Sequence, residues 1–158
     1  MGKEIERKFL VTGKAWRSGS GVEYRQGYLS DDKERTVRVR TAGDQGWLTI
    51  KGITRGATRS EYEYPISFDE AKALLDELCL RPLIEKRRFR VRYGGNLWEV
   101  DEFLGENEGL VVAEIELESE GQHFERPAWL GVEVTGDPRY YNVNLVANPY
   151  RSWSSDER

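Results

Sequence analysis

At 158 residues the chain is long enough for one domain, and 24 basic residues against 28 acidic ones leave a net charge of −4. That balance excludes a basic nucleic-acid binder, 5 Trp, 8 Tyr and 5 Phe exclude a disordered polar chain, and a lone Cys with a lone His excludes an internal disulfide, a cysteine-cage zinc site and a His-rich metal site. No apolar run approaches the roughly 20 residues of a membrane span, and Met1-Gly2-Lys3-Glu4 opens without the apolar stretch of a signal peptide, so the expected compartment is the cytoplasm.

In chain order, period-two patterning predicts strands over Lys3–Val11, Val22–Leu29, Arg35–Arg40, Trp47–Gly52 and Thr58–Ile66. A helix follows over Glu70–Leu80, with Asp69 as N-cap and Ala71, Leu74, Leu75 and Leu78 on one stripe. Three more strands are predicted over Leu83–Tyr93, Leu97–Leu104 and Leu110–Glu118, which makes eight. Gly-, Asp- and Asn-rich clusters at hairpin spacing separate the strands, so neighbours are expected to be antiparallel. Gln122–Trp129 reads as a short helical turn limited by Pro127. Gly136-Asp137-Pro138 then opens a second helix over Arg139–Ala147, stopped by Asn148-Pro149. One domain is expected over residues 1–150, with a frayed polar tail over 151–158.

Which face carries the charge is the informative feature. Same-sign residues recur two apart: Glu4 and Glu6; Arg38 and Arg40; Glu61 and Glu63; Lys86, Arg88, Arg90 and Arg92; Glu99 and Asp101; Glu114, Glu116 and Glu118. Such residues sit about 7 Å apart on one face of a strand, where like charges repel and folding gains nothing. A closed eight-stranded barrel accounts for this, with the charged face turned inward around a wet lumen and the apolar face outward under the helices. Carboxylates there hold hard divalent cations, and Lys and Arg hold phosphate oxygens.

The opening Glu4-Ile5-Glu6-Arg7-Lys8 resembles the signature of the CYTH superfamily, the triphosphate tunnel metalloenzymes. Gln26-Gly27-Tyr28-Leu29, Arg38-Val39-Arg40, Leu48-Thr49-Ile50-Lys51, Glu61-Tyr62-Glu63, Glu85-Lys86-Arg87-Arg88, Trp98-Glu99-Val100-Asp101, Ala113-Glu114-Ile115-Glu116 and Glu133-Val134-Thr135 follow in order. Length and opening are most similar to the small bacterial inorganic triphosphatases of that group. The resemblance implies a mainly β fold, an eight-stranded antiparallel tunnel with a C-terminal helix plugging one end. It implies metal binding by Glu4, Glu6, Glu114 and Glu116, with Asp101 nearby, and a triphosphate grip by Arg38, Arg40, Lys51 and Arg88. Lys86 shares that basic row and is the candidate for orienting the attacking water; Lys8 and Tyr28 match a pair tied to substrate preference. Glu61 and Glu63 match tunnel carboxylates without an assigned part, and Arg90, Arg92 and Glu118 extend their rows beyond the motif.

The implied reaction is Mg²⁺-dependent hydrolysis of tripolyphosphate to pyrophosphate and phosphate, with Mn²⁺ as an alternative ion. Thiamine triphosphatases and class IV adenylate cyclases share the motif residues, which leave open which phosphorus reacts. A different class of reading is a non-catalytic sensor of polyphosphate or nucleotides, though anion binding alone does not need so many carboxylates. No nucleic-acid or membrane partner is expected. His123 reads as a surface residue and Cys79 as core; Gly13-Lys14 lacks the rest of a P-loop. Trp47 shares its face with Thr49 and Lys51, so it points to the lumen near a mouth, either packing on the rim or offering a ring to stack on.

Overall fold

A computed structural model describes residues 2–158. Nine strands and two α-helices follow in the order β1 (Gly2–Val11), β2 (Val22–Ser30), β3 (Thr36–Ala42), β4 (Gln45–Lys51), β5 (Thr58–Ile66), α1 (Phe68–Glu77), β6 (Ile84–Tyr93), β7 (Asn96–Phe103), β8 (Val111–Glu116), β9 (Leu130–Glu133) and α2 (Asn142–Ala147). Hairpins join most neighbours, and the sheet runs β5-β4-β3-β2-β6-β7-β8-β1, every pairing antiparallel. β1 closes it. Gly2–Ile5 pair with Glu61–Thr58 of β5, while Glu6–Leu10 pair with Glu116–Val112 of β8. The result is the expected closed eight-stranded antiparallel barrel, with β9 as a ninth strand laid against Phe9 and Val11 of β1.

Period two sends the polar faces inward, so the hydrophobic core lies outside the barrel wall. One cluster covers the outer face of β1, β6, β7 and β8, where Phe9, Phe89, Trp98, Val100, Ala113 and Ile115 meet Trp16, Phe124 and Trp129. Trp98 is its hub, edge-on to Phe9, Phe124 and Trp129 at ring separations of 5.7, 5.7 and 5.8 Å. A second cluster seals one end of the barrel with Ile84, Phe103, Val112, Tyr140, Leu145 and Trp153. The third seats α1 on β3 through Ala71, Leu75, Val39 and Cys79. There α1 approaches β4 so closely that a Cβ on Gly46 would lie 2.7 Å from the Ala71 Cβ, which only glycine permits.

Several expectations are corrected. Ser67, not Asp69, caps α1, accepting from the Glu70 N–H; the helix stops at Glu77, which leaves Leu78 as an exposed C-cap outside the buried stripe. Gln122–Trp129 forms turns and extended chain, and its aromatics cover the barrel without a helix. The second helix is broken: Asp137 caps a short 3₁₀ turn over Pro138–Tyr140, Tyr141 is extended, and α2 starts afresh at Asn142. The tail is not frayed at Trp153, which is buried (3 % exposed) against Tyr140 and donates its indole N–H to the Asn148 carbonyl.

Candidate active site

The lumen is a cavity of about 330 Å³. Every strand of the barrel except β7 sends an expected residue into it, and β7 contributes Glu99 instead. Lys8, Tyr28 and Lys86 line it, as do Arg38, Arg40, Lys51 and Arg88, and the carboxylates Glu4, Glu6, Glu61, Glu63, Glu114 and Glu116. Trp47 and Arg90 line it too; Arg92 and Glu118 do not.

Register explains the acidic side. Glu6 stands directly opposite Glu116, and Glu99 opposite Glu114. Burial, with Glu114 and Glu4 close by, pushes the Glu6 carboxyl well above the usual range. Burial next to Glu4 and Glu99 likewise raises Glu116. Glu4 is buried too, but Lys51 at 3.1 Å holds it below the usual range. Glu114 keeps its charge despite burial, drawn down to about 2 by Lys8 at 3.4 Å and by Arg88 at 3.5 Å. These acids line the cavity in pairs; among the described residues no three of them gather about one point. An all-oxygen set holding two acids that resist ionising for want of a positive partner suits a hard divalent cation.

The basic side is held from behind. Asp101 accepts from Arg88 through both oxygens, Nε at 2.8 Å and Nη2 at 2.9 Å, and also pairs with Lys86 Nζ at 2.7 Å. Its carboxyl is therefore held far below the usual range, the two cations outweighing burial. Asp101, expected among the metal ligands, is 2 % exposed and stands behind the lumen surface with its oxygens paired to two cations. Lys86 is 1 % exposed, and burial together with Arg88 and Arg40 lowers its amine to about 7 despite Asp101. Burial beside Arg38 and Arg88 lowers Arg40 to about 9. Arg38 reaches Thr49 at 3.3 Å and Glu63 at 3.4 Å, while its buried Nε has no partner and remains a donor in reserve. Arg40 and Arg88 both lie over the Tyr24 ring, at 5.0 and 4.7 Å.

Lys8 donates to the Tyr140 carbonyl at 3.2 Å and faces Glu114; no hydrogen bond joins it to Tyr28 among the described residues. Tyr28 instead packs in the cluster that seals the closed end. Trp47 is half-buried, opposite Arg40 on one side and Pro65 on the other. Four residues with a place in the site carry no assignment from sequence: Tyr24, Gln26, Glu99 and Asn142. Glu99 shares a face with Asp101 and pairs with Arg88 and Arg90 at 3.3 and 3.4 Å, so alternation alone points to it. Asn142 has no such signal, because the break at Tyr141 that aims it is not written in any periodicity.

A closed antiparallel barrel with an acidic and a basic wall facing one lumen defines an ionic tunnel built for a charged ligand. The chain belongs to the CYTH family, whose domain matches residues 2–150. It is 57 % identical over 154 residues to an inorganic triphosphatase of Acetivibrio thermocellus, covering 97 % of this chain and 99 % of that protein. An inorganic triphosphatase of Nitrosomonas europaea is 37 % identical over 152 residues, covering 90 % and 96 %. Among solved structures, the inorganic triphosphatase NE1496 superposes with a TM-score of 0.64 at 36 % identity, covering 92 % of this chain and 95 % of that one.

Proposed function

We propose that this protein hydrolyses inorganic triphosphate to pyrophosphate and phosphate inside the tunnel, with Mg²⁺ or Mn²⁺ as its cation. The observation that carries this reading is a basic wall of Arg38, Arg40, Lys86 and Arg88 facing an acidic one of Glu4, Glu6, Glu114 and Glu116 across one lumen. The names of the two similar proteins support the substrate.

Phosphoryl transfer asks the protein for alignment and charge stabilisation rather than covalent chemistry. The arginines bind non-bridging oxygens and meet the charge that develops on them, preorganised by Asp101, Thr49 and Gln26 so that little reorganisation is needed. Glu4, Glu6, Glu114 and Glu116 would hold the divalent cations, which when bound neutralise phosphate charge and make water a stronger nucleophile. Lys86, which lines the closed end of the lumen, is the amine placed to orient the attacking water through its N–H groups. Lys8, between Glu114 and the Tyr140 carbonyl, closes the lumen at the same end. The sealed end excludes bulk water from the reacting terminus.

Trp47 supports a second reading, hydrolysis or cyclisation of an organic triphosphate whose ring stacks on the indole. Phosphate release from tripolyphosphate, ATP and thiamine triphosphate, with cyclic AMP followed in parallel, separates the two. The expected result is the highest kcat/KM on tripolyphosphate, abolished by chelator and restored by Mg²⁺ or Mn²⁺, with Trp47→Ala within a few-fold of the unaltered protein. Preference for an organic triphosphate that Trp47→Ala abolishes overturns the substrate, and full activity in excess chelator overturns the cation.

A further inference from the structure

At the closed end of the tunnel three polar side chains form a chain whose polarity leaves no freedom. Arg40 has only donors, and its Nε donates to Gln26 Oε1 at 2.9 Å. Gln26 is fully buried, so with its oxygen committed its Nε2 turns the other way and donates to Asn142 Oδ1 at 3.0 Å. Lys86 Nζ donates to the same oxygen at 3.1 Å. Two donors fill the two lone pairs of that carbonyl. Exchanging the oxygen and nitrogen of Asn142 would set its NH₂ against the NH₂ of Gln26, so the amide orientation follows from Arg40 and not from placement of look-alike atoms. Asn142 Nδ2 therefore points away from Gln26 and Lys86. It makes no hydrogen bond to the described residues, and Asn142 lines the lumen.

The backbone holds that amide in place. Tyr141 is extended, so α2 starts at Asn142, and Tyr140 and Leu145 on either side are sunk in the closed-end cluster. An anion that reaches Arg40 and Lys86 lies beside the free N–H groups. A neutral donor also suits this spot, because Arg38, Arg40, Lys86 and Arg88 already crowd one wall and a further cation would add repulsion.

We propose that Asn142 is a substrate-contacting residue, its side-chain N–H groups donating to the terminal phosphoryl group of a triphosphate at the closed end of the tunnel. This rests on the triphosphate reading of the site. It gives the plug a part in recognition: α2 supplies the donor that ends the phosphate chain, fixed by Gln26 and Lys86 as positioning residues.

The test is a ¹⁵N NMR titration of the full chain with a methylene-bridged triphosphate in Mg²⁺, whose P–C–P links resist hydrolysis. It is joined by kinetics and melting of Asn142→Asp. The Asp variant keeps an acceptor for Gln26 and Lys86, removes the donors and adds a negative charge, so the contact itself is read from the NH₂ resonances and the kinetics report whether an anion approaches this spot. The expected result is a saturable downfield shift of the Asn142 side-chain NH₂ resonances, and an Asn142→Asp variant that melts no lower than the parent, since its carboxylate faces Lys86. Its kcat/KM on tripolyphosphate should be lower by about 10- to 100-fold, the scale of losing hydrogen bonds to a charged group, mostly through KM. The resonances are read on the unaltered chain, so the result stands even where the variant fails to fold. Shifts of other lumen residues with an unmoved Asn142 amide, or wild-type kinetics in Asn142→Asp, overturn the inference and leave the triphosphate reading intact. No shift anywhere in the lumen and no tripolyphosphate turnover overturn that reading, and the inference with it.

Discussion

Replacing Asp101 by Asn removes one negative charge from a buried place where two cations share it. Arg88 holds both oxygens at 2.8 and 2.9 Å, and Lys86 holds one at 2.7 Å. An asparagine offers one acceptor and turns an NH₂ against a remaining donor, so at least one cation loses its partner. Removing one member of a buried ion pair costs about 3–5 kcal/mol. With two cations affected and one partial replacement we take about 4 kcal/mol, which for a chain of this size lowers Tm by roughly 8–16 °C. Thermal or urea unfolding in chelator checks this. Tripolyphosphate should then raise Tm more in Asp101→Asn than in the unaltered protein, because the anion supplies the missing negative charge. A variant as stable as the parent, or more stable, that has lost cation binding would refute the reasoning and return Asp101 to the metal ligands.

Two further outcomes follow from the charges of the lumen. The folded-state value of Glu6 lies above its ordinary 4.5, so the cation-free fold holds an extra proton and loses stability as pH rises from about 4.5 through the raised value. Glu6→Gln removes that loss: in chelator at pH 8 it should melt higher than the parent while losing cation-dependent turnover, and an unchanged or lower Tm counts against the burial argument. Lys86 sits near 7, so at pH 8 its amine is mostly neutral, and a bound polyanion raises its proton affinity. Tripolyphosphate binding in chelator at pH 8 should therefore take up a fraction of a proton, read by calorimetry in buffers of different ionisation enthalpy; release of protons contradicts it.

Most of the barrel is legible from sequence because one force writes it. An inward charged face and an outward apolar face give each strand a strict period of two, and that alternation by itself places Glu4, Arg38, Arg40, Lys86, Arg88 and Glu114 on the lumen. Alternation reports a face but not a partner. Asp101 shares the inward face of β7, yet the register that sets it opposite Arg88 turns it into a support for the basic wall. β9 goes unpredicted and the segment before it reads as a helical turn because Phe124 and Trp129 bury through irregular chain, where burial follows no period. Ser67 outcompetes Asp69 as a cap because its hydroxyl reaches the Glu70 N–H from an extended backbone, a choice settled by φ and ψ and not by residue type. Asn142 depends on a break between two short helical pieces, and no composition signal marks its aim.

β1 carries a consequence for how the chain reaches this shape. Its partners on either side are far away in sequence, residues 58–61 on one flank and 112–116 on the other. The hairpins β2–β3, β3–β4, β4–β5, β6–β7 and β7–β8 form from local segments, whereas the wall shuts only when β2 meets β6 and β1 meets both β5 and β8. Contacts of such separation are slow to form. The juxtaposition of Glu6 with Glu116 belongs to that closing event, since no hairpin contains it. The apposition of Glu6 with Glu116 therefore weighs on how fast the barrel shuts, whereas that of Glu99 with Glu114 is met earlier, inside the β7–β8 hairpin.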